Sequence, residues 1–513
     1  MIRDGANISA WQKNLDTYQN REQNIQSQTY DVVIVGGGIT GITTAFLLQK
    51  AGKKCLLAEA KNLCFGTTGG TTAHLNTLLD HSYYDIEKDF DGESAQLVLK
   101  ATRSALDLVA KNVSKYQIDC NFSEKPGYLF SQDEKQSGEL DDIYEASLRA
   151  GCDVEYSQTI PVPVDFEKAI VYKSQAQMHP VKYVYSLARI YESDGGHISQ
   201  QCRVTGVEKM NDGLLEIETS RGKVKAHHVV YATHTPPGVN ILHLRCAPYR
   251  SYAMAIILKE EQYPEGLAYD MYEPYHYYRT EEIDGQKYLI AGGEDHKTGE
   301  EKNAAERFNI LESYLRHHYD IKEVAFKWSS QFFEPADGLP YIGHLPGNPD
   351  NVWVATGFGG NGITYSHVAA KMLTDLILTG ESEYEDLFSP ARVKPVAGFT
   401  SFVKENADVA VQLITSFFPK KQLKELDELK NNESKVVKYE GHSIALYKDK
   451  NGVLHSVNPA CTHMKCDVAW NNTEEAWECP CHGSRFGMDG EMITAPARTD
   501  LKQINLNEIS QEE

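Results

Sequence analysis

The first uninterrupted apolar run, Val32-Val33-Ile34-Val35 after Asp31, is rich in β-branched residues. Such a run predicts a parallel strand buried on both faces. Gly36-Gly37-Gly38-Ile39-Thr40-Gly41 follows at once, then apolar positions at helical spacing through Leu48, then a second run, Cys55-Leu56-Leu57-Ala58. Together they predict a strand–helix–strand unit. Helical spacing returns over Gly92 to Val113, and strands are expected at Tyr249 to Leu258, Tyr272 to Arg279 and Tyr288 to Gly293. An amphipathic, charged stretch over 394–431 predicts a helical connector. Short runs then follow (Ser434 to Tyr439, Ile444 to Tyr447, Leu454 to Val457), separated by the turn signals Glu440-Gly441 and Lys450-Asn451-Gly452. They predict a small β domain.

A chain of 513 residues exceeds one compact core, so two to four domains are expected. A net charge of -21 argues against nucleic acid or an anionic membrane surface as the main partner. No stretch approaches the ~18 apolar residues of a membrane span. The polar opening, Met1 to Tyr30, lacks a signal pattern, and a cytoplasmic location is expected. Thiols there stay mostly reduced. Four of the ten cysteines crowd between Cys461 and Cys481, a clustering that reads first as a metal site.

The glycine segment has a phosphate-binding logic. Gly36 permits a tight turn, Gly38 lets the backbone approach a pyrophosphate, and Gly41 lets helix and strand pack closely. The amides of Ile39 and Thr40 lie at the helix N-terminus, where free N–H groups favour phosphate. Glu59, eighteen residues after Gly41, stands where a carboxylate meets an adenosine ribose. Gly66-Thr67-Thr68-Gly69-Gly70-Thr71-Thr72-Ala73-His74 is a small, hydroxyl-rich stretch suited to wrapping an extended cofactor. Here the sequence resembles the D-amino-acid oxidase/glycine oxidase (DAO-type) flavoproteins. The resemblance continues at Gln201 to Val207, at Val229 to His234, at Asp337 to Gly343 and at Gly357 to Thr364. It implies FAD, with contacts from Thr67, Thr68, Thr71, Thr72, Ala73 and His74, from Val204, Ala232 and Thr233, and from Gly359, Asn361, Gly362, Ile363 and Thr364. The implied fold is α/β: a Rossmann-like FAD-binding domain (29–95, 177–238 and 334–393) with an inserted α+β substrate domain (96–176 and 239–333). Residues 1–28 form an N-terminal extension.

Tyr269, Tyr272, Tyr275, His276, Tyr277 and Tyr278 lead into Arg279. Alternating tyrosines are ordinary sheet packing, or they wall a site for an amine or zwitterion. No catalytic residue is assigned; Tyr277, Arg250 and Arg279 are the candidates, either arginine as a grip on a substrate carboxylate or as a solvated surface residue. For His74 a hydrogen-bonding or packing role is the default, with covalent flavin attachment as the alternative.

Near the end stand Cys461-Thr462-His463 and, after fifteen intervening residues, Cys479-Pro480-Cys481-His482-Gly483-Ser484. Two cysteines and two histidines could hold zinc. Paired C-x-H and C-x-x-H loops instead resemble the Rieske pattern, in which one iron takes both thiolates and the other both imidazoles. The resemblance implies an all-β Rieske domain over 432–513 with a [2Fe-2S] cluster on Cys461, His463, Cys479 and His482. It also implies that Cys466 and Cys481 are candidates for the disulfide seen in the respiratory-complex Rieske proteins. Ser484 matches a hydroxyl donor to a cluster sulfide, Phe486 replaces a frequent tyrosine, and Lys465 stands where glycine is usual. A middle-to-high potential is expected within roughly -150 to +300 mV.

The expected activity is oxidation of a small-molecule amine or amino acid by FAD. Electrons would leave through the cluster's exposed histidine edge to an external one-electron carrier or quinone. Alternatives are reverse flow from cluster to flavin and a non-enzymatic redox sensor. A Rieske oxygenase is disfavoured because His179, His227-His228 and His317-His318 show no facial-triad spacing.

Overall fold

The computed structural model describes residues 3–301, 303–392, 407–409, 412, 429–439 and 442–506. The helix expected over 394–431 falls almost wholly outside these residues.

The apolar runs assemble into a sheet with the strand order Tyr341–His344, Val352–Thr356, Gly222–Tyr231, Thr29–Val35, Cys55–Ala58 and His197–Ser199. Every pairing along it is parallel except that of the first two strands. In register, Val33 lies between Val229 and Leu56, all three fully buried. This two-sided burial is why the runs carry no polar alternation. The chain leaves Val35 through Gly36, whose φ of +111° favours glycine and where a Cβ would lie 2.5 Å from the Ala232 carbonyl oxygen. Helix Ile39–Lys50 follows and packs on Gly362–Thr379, bringing two distant helix starts to one side of the sheet.

A second, nine-stranded sheet runs Ile321–Pro335, Cys246–Leu258, Gln286–Lys297, Tyr277–Ile283, Leu267–Asp270, Ser123–Ser131, Lys168–Gln177 and His74–Leu75, with Val154–Ser157 added beside Lys168–Gln177. The strand expected from Tyr272 begins only at Tyr277. Pro274 has no amide to give a ladder, so residues 271–276 loop out and return at Tyr277. Helix Gly92–Tyr116 packs on Gly362–Thr379, so the two folds share this layer.

Among the described residues the C-terminal unit is mostly β: an antiparallel sheet of Glu433–Tyr439, His442–Lys448 and Leu454–Val457, and a second of Ala469–Asn471, Ala476–Glu478, Arg485–Phe486 and Met492–Thr494. The opening residues lie between this unit and the others. Asp4 N–H donates to the Phe65 carbonyl (2.8 Å), and Trp11, fully buried, donates to the Thr71 carbonyl. Among the described residues no helix is long and apolar enough to cross a membrane.

Candidate active site and cluster site

One cavity gathers seventeen of the twenty residues expected to meet FAD. The other three stand behind its wall. A Cβ on Gly41 would lie 1.9 Å from the Gly36 carbonyl oxygen, so its place is in helix–strand packing. The Ala73 carbonyl accepts from Arg279, and Thr364 exchanges hydrogen bonds with the Asn76 backbone (2.9 and 3.1 Å).

The cavity wall fits an extended dinucleotide. Gly38 opens onto Thr68 Oγ1, and that hydroxyl accepts from the Ile39 amide (3.1 Å) at the helix start. Glu59 closes one end, its carboxylate accepting from the Gly37 (2.6 Å) and Lys61 (2.7 Å) amides. Arg203 and Arg498 supply positive charge on the lining, beside Glu59 and Pro237 respectively. At the other end, His74 Nδ1 meets Tyr269 Oη (2.6 Å), while Nε2 is buried without a hydrogen-bond partner. Burial, then the charge of Arg279, holds His74 neutral.

Neither candidate arginine lines the cavity. Arg250 and Arg279 are fully buried and offer nothing to a substrate carboxylate. Arg250 donates to Ser329 Oγ (2.8 Å) and pairs with Glu478 of the cluster domain, with Glu474 at 3.9 Å. Arg279 lies against Glu281 and donates to the carbonyls of Thr72 (2.8 Å), Ala73 (3.0 Å) and Met178 (3.2 Å). It braces the threonine-rich segment from behind. Tyr277 does line the cavity, its hydroxyl 3.0 Å from Ser251 Oγ.

Sequence reasoning missed two cavity carboxyl groups. Asp80 presents its side chain to the cavity and accepts from the Gly360 amide and the Tyr275 hydroxyl; enclosure raises its pKa to about 6. Asp295 contacts Ser251, and burial reinforced by Asp80 raises it to about 7. Neither position carries a local motif.

In the cluster domain, the thiols of Cys461 and Cys479 hydrogen-bond each other, and His463 and His482 face each other at 4.8 Å between ring centroids. Among the described residues neither imidazole has a side-chain hydrogen-bond partner, and only the Gly238 backbone engages His463. Two free buried thiols and two histidines without side-chain hydrogen bonds form a donor set that fits a cluster with one thiolate-bound and one imidazole-bound iron. Cys466 and Cys481 are joined in a disulfide, Cα atoms 6.5 Å apart, which removes them from that set. Lys465 has a φ of +68°, the conformation that a glycine adopts most easily. The Ser484 hydroxyl contacts Cys461 and accepts from the Ala497 amide (3.0 Å).

The histidine edge is less open to solvent than expected, with His463 half-buried. His482 is 2% exposed, and both histidines pack against His243 of the preceding domain. Gln331 donates to the Gly483 carbonyl (3.0 Å), and the Gly238 amide to Pro496 (2.7 Å). Met492, Ile493, Thr494, Ala495, Ala497 and Arg498 of the cluster domain line the same cavity as the glycine loop. That docking is set by tertiary contacts, which no local pattern encodes.

Comparisons with known proteins agree with this architecture. The FAD dependent oxidoreductase (DAO) family profile matches residues 31–376, and the Rieske [2Fe-2S] domain profile matches 420–505. The Bacillus subtilis (strain 168) protein YhfW, named for a Rieske 2Fe-2S iron-sulfur centre, is 34% identical over 93% of this chain and 94% of its own length. Gamma-glutamylputrescine oxidoreductase of Escherichia coli (strain K12) is 24% identical over 73% of this chain and 89% of its own. The crystal structure of glycine oxidase from Geobacillus kaustophilus shares the fold with a TM-score of 0.59 at 19% identity, covering 72% of this chain and all of that one.

Proposed function

Because the chain belongs to the DAO family of FAD-dependent oxidoreductases and carries a C-terminal Rieske [2Fe-2S] domain, we propose that it oxidises an amine or amino acid and passes the electrons through its own cluster. An external one-electron carrier or quinone would be the acceptor, and the cytoplasm the place of work. When bound, FAD supplies a two-electron acceptor and the cluster a one-electron carrier.

The observation that carries the reading is the shared wall: residues of the cluster domain line the flavin cavity, and both cluster histidines pack against His243. In this assignment Gly36, Gly38, Ile39 and Thr40 cradle the pyrophosphate and Glu59 receives the ribose. Gly359, Asn361, Gly362 and Ile363 bring a helix start to the flavin ring. Cys461, His463, Cys479 and His482 hold the cluster. Tyr269, Tyr275 and Tyr277 exclude water and orient the substrate. The name of the gamma-glutamylputrescine oxidoreductase relative supports an amine as substrate class.

The test is an anaerobic titration of the holoprotein with amines and amino acids, following flavin absorbance and the reduced-cluster EPR signal together. Bleaching followed by growth of the EPR signal is expected. A Cys479→Ser protein that lost its cluster yet kept full turnover with the natural acceptor would sink the internal route.

A further inference from the structure

The cavity is electrically polarised along its length. Among the described residues its only arginine or lysine lining residues, Arg203 and Arg498, lie at the end marked by Glu59, Val204 and Pro237. The end walled by Tyr269, Tyr275 and Tyr277 carries Asp80 and Asp295. They are near enough for Asp80 to raise the pKa of Asp295. Asp80 is fixed from both sides: its amide donates to Asn361 Oδ1 (2.9 Å), and its carboxylate accepts from Gly360 and Tyr275. Among the described residues neither carboxylate has an ion-pair partner, and Asp295 Oδ1 is buried without any hydrogen-bond partner. A buried carboxylate without a counter-charge is costly, and a bound cation removes that cost.

Among the described residues the same end offers no arginine or lysine to an anion. Arg250 is consumed by Glu478 and Glu474, and Arg279 by Glu281 and three backbone carbonyls. Tyrosine faces suit an organic cation through their quadrupoles. We propose that Asp80 and Asp295 seat an ammonium group, so that the substrate is a cationic amine without an α-carboxylate, of the diamine or polyamine class, rather than an α-amino acid. The proposal rests on the oxidoreductase reading above and narrows it.

The experiment titrates the anaerobic holoprotein with 1,4-diaminobutane and spermidine on one side, and with glycine, L-proline and D-alanine on the other. An amine of the first group should bleach the flavin at ~10- to 100-fold lower concentration than any of the second, the scale of one charge-assisted contact. Asp295→Asn and Asp80→Asn should each raise the half-bleaching concentration of that amine by a similar factor. If an α-amino acid bleaches the flavin and neither polyamine does, the proposal is overturned. It is also overturned if Asp295→Asn, with flavin and cluster spectra intact, responds to the amine as the parent does. Should nothing in either group bleach the flavin while dithionite does, the oxidation reading fails on its own. The seat is then judged by binding: 1,4-diaminobutane should raise the melting temperature of the parent and not of Asp295→Asn, and no rise in the parent would overturn it.

Discussion

His243 lies edge-on to His463, with ring centroids 4.8 Å apart and planes at 89°. Its own nitrogens are tied locally, Nε2 to the Pro236 carbonyl (2.9 Å) and Nδ1 to the Asn240 amide (3.2 Å). The Asn240 amide must donate, so Nδ1 accepts and Nε2 carries the proton. The ring is therefore fixed in tautomer and tilt where the preceding part of the chain covers the cluster histidines.

Replacing His243 by alanine should leave the cluster assembled but open its histidine edge to water. The dithionite-reduced EPR signal should keep its intensity, while reduction of the cluster by substrate slows ~10-fold or more, as for other groups that support metal ligands. Rapid-mixing absorbance with freeze-quench EPR measures both; an unchanged rate would remove His243 from the route.

Arg250→Ala should act on stability and not on substrate affinity. It removes one of the two cations that face Glu478 and Glu474 and leaves them Arg485 alone, a loss of up to about 3–5 kcal/mol. Urea unfolding should show the loss, with the amine concentration for half-bleaching nearly unchanged where the protein remains folded. A large rise in that concentration with stability intact would return Arg250 to the substrate site.

Cys466→Ser should cost the cluster domain about 3 kcal/mol, because the bond to Cys481 closes a loop whose ends are 15 residues apart. Cluster loss on warming, read from visible absorbance, should begin at lower temperature than in the parent. Equal retention in both proteins would show that the metal ligands alone hold these loops.

Asp80 and Asp295 have their pKa values raised from an ordinary 3.8 to about 6 and about 7. Across that window the native protein keeps protons that the unfolded chain has released. Stability should therefore fall as pH rises from about 4 to about 7. Binding of an organic cation should move the other way, tightening as both carboxyls ionise; Glu273 and Glu294 add negative charge near Asp295, and Ser251 favours its ionised form. An amine remains protonated throughout, since its own pKa lies near about 10. Half-bleaching concentrations measured across this range should fall with pH in the parent and flatten in Asp295→Asn.

Much of the cofactor cavity was legible because its parts are local: the glycine turn, the acid after the second strand, and the hydroxyl-rich loop all announce themselves over a few residues. The cluster residues were legible for the same reason. What could not be read was pairing across distance. Arg250 looks available for substrate until Glu478, 228 positions away, is brought beside it. Asp80 sits in Leu78-Leu79-Asp80-His81, where nothing marks a cavity wall. The covered histidine edge likewise depends on how one domain lies on another, as the looped residues before Tyr277 depend on a single proline.

Asp4 and Arg485 meet at 3.1 Å across 481 positions of chain, with Arg485 also 3.6 Å from Glu474. On a ribosome, the first of these partners emerges long before the last. The flavin fold can gather its own strands meanwhile, since domains generally fold as units during synthesis. Asp4, already held by its amide to Phe65, then waits with its carboxylate open until the iron–sulfur domain brings Arg485 to it.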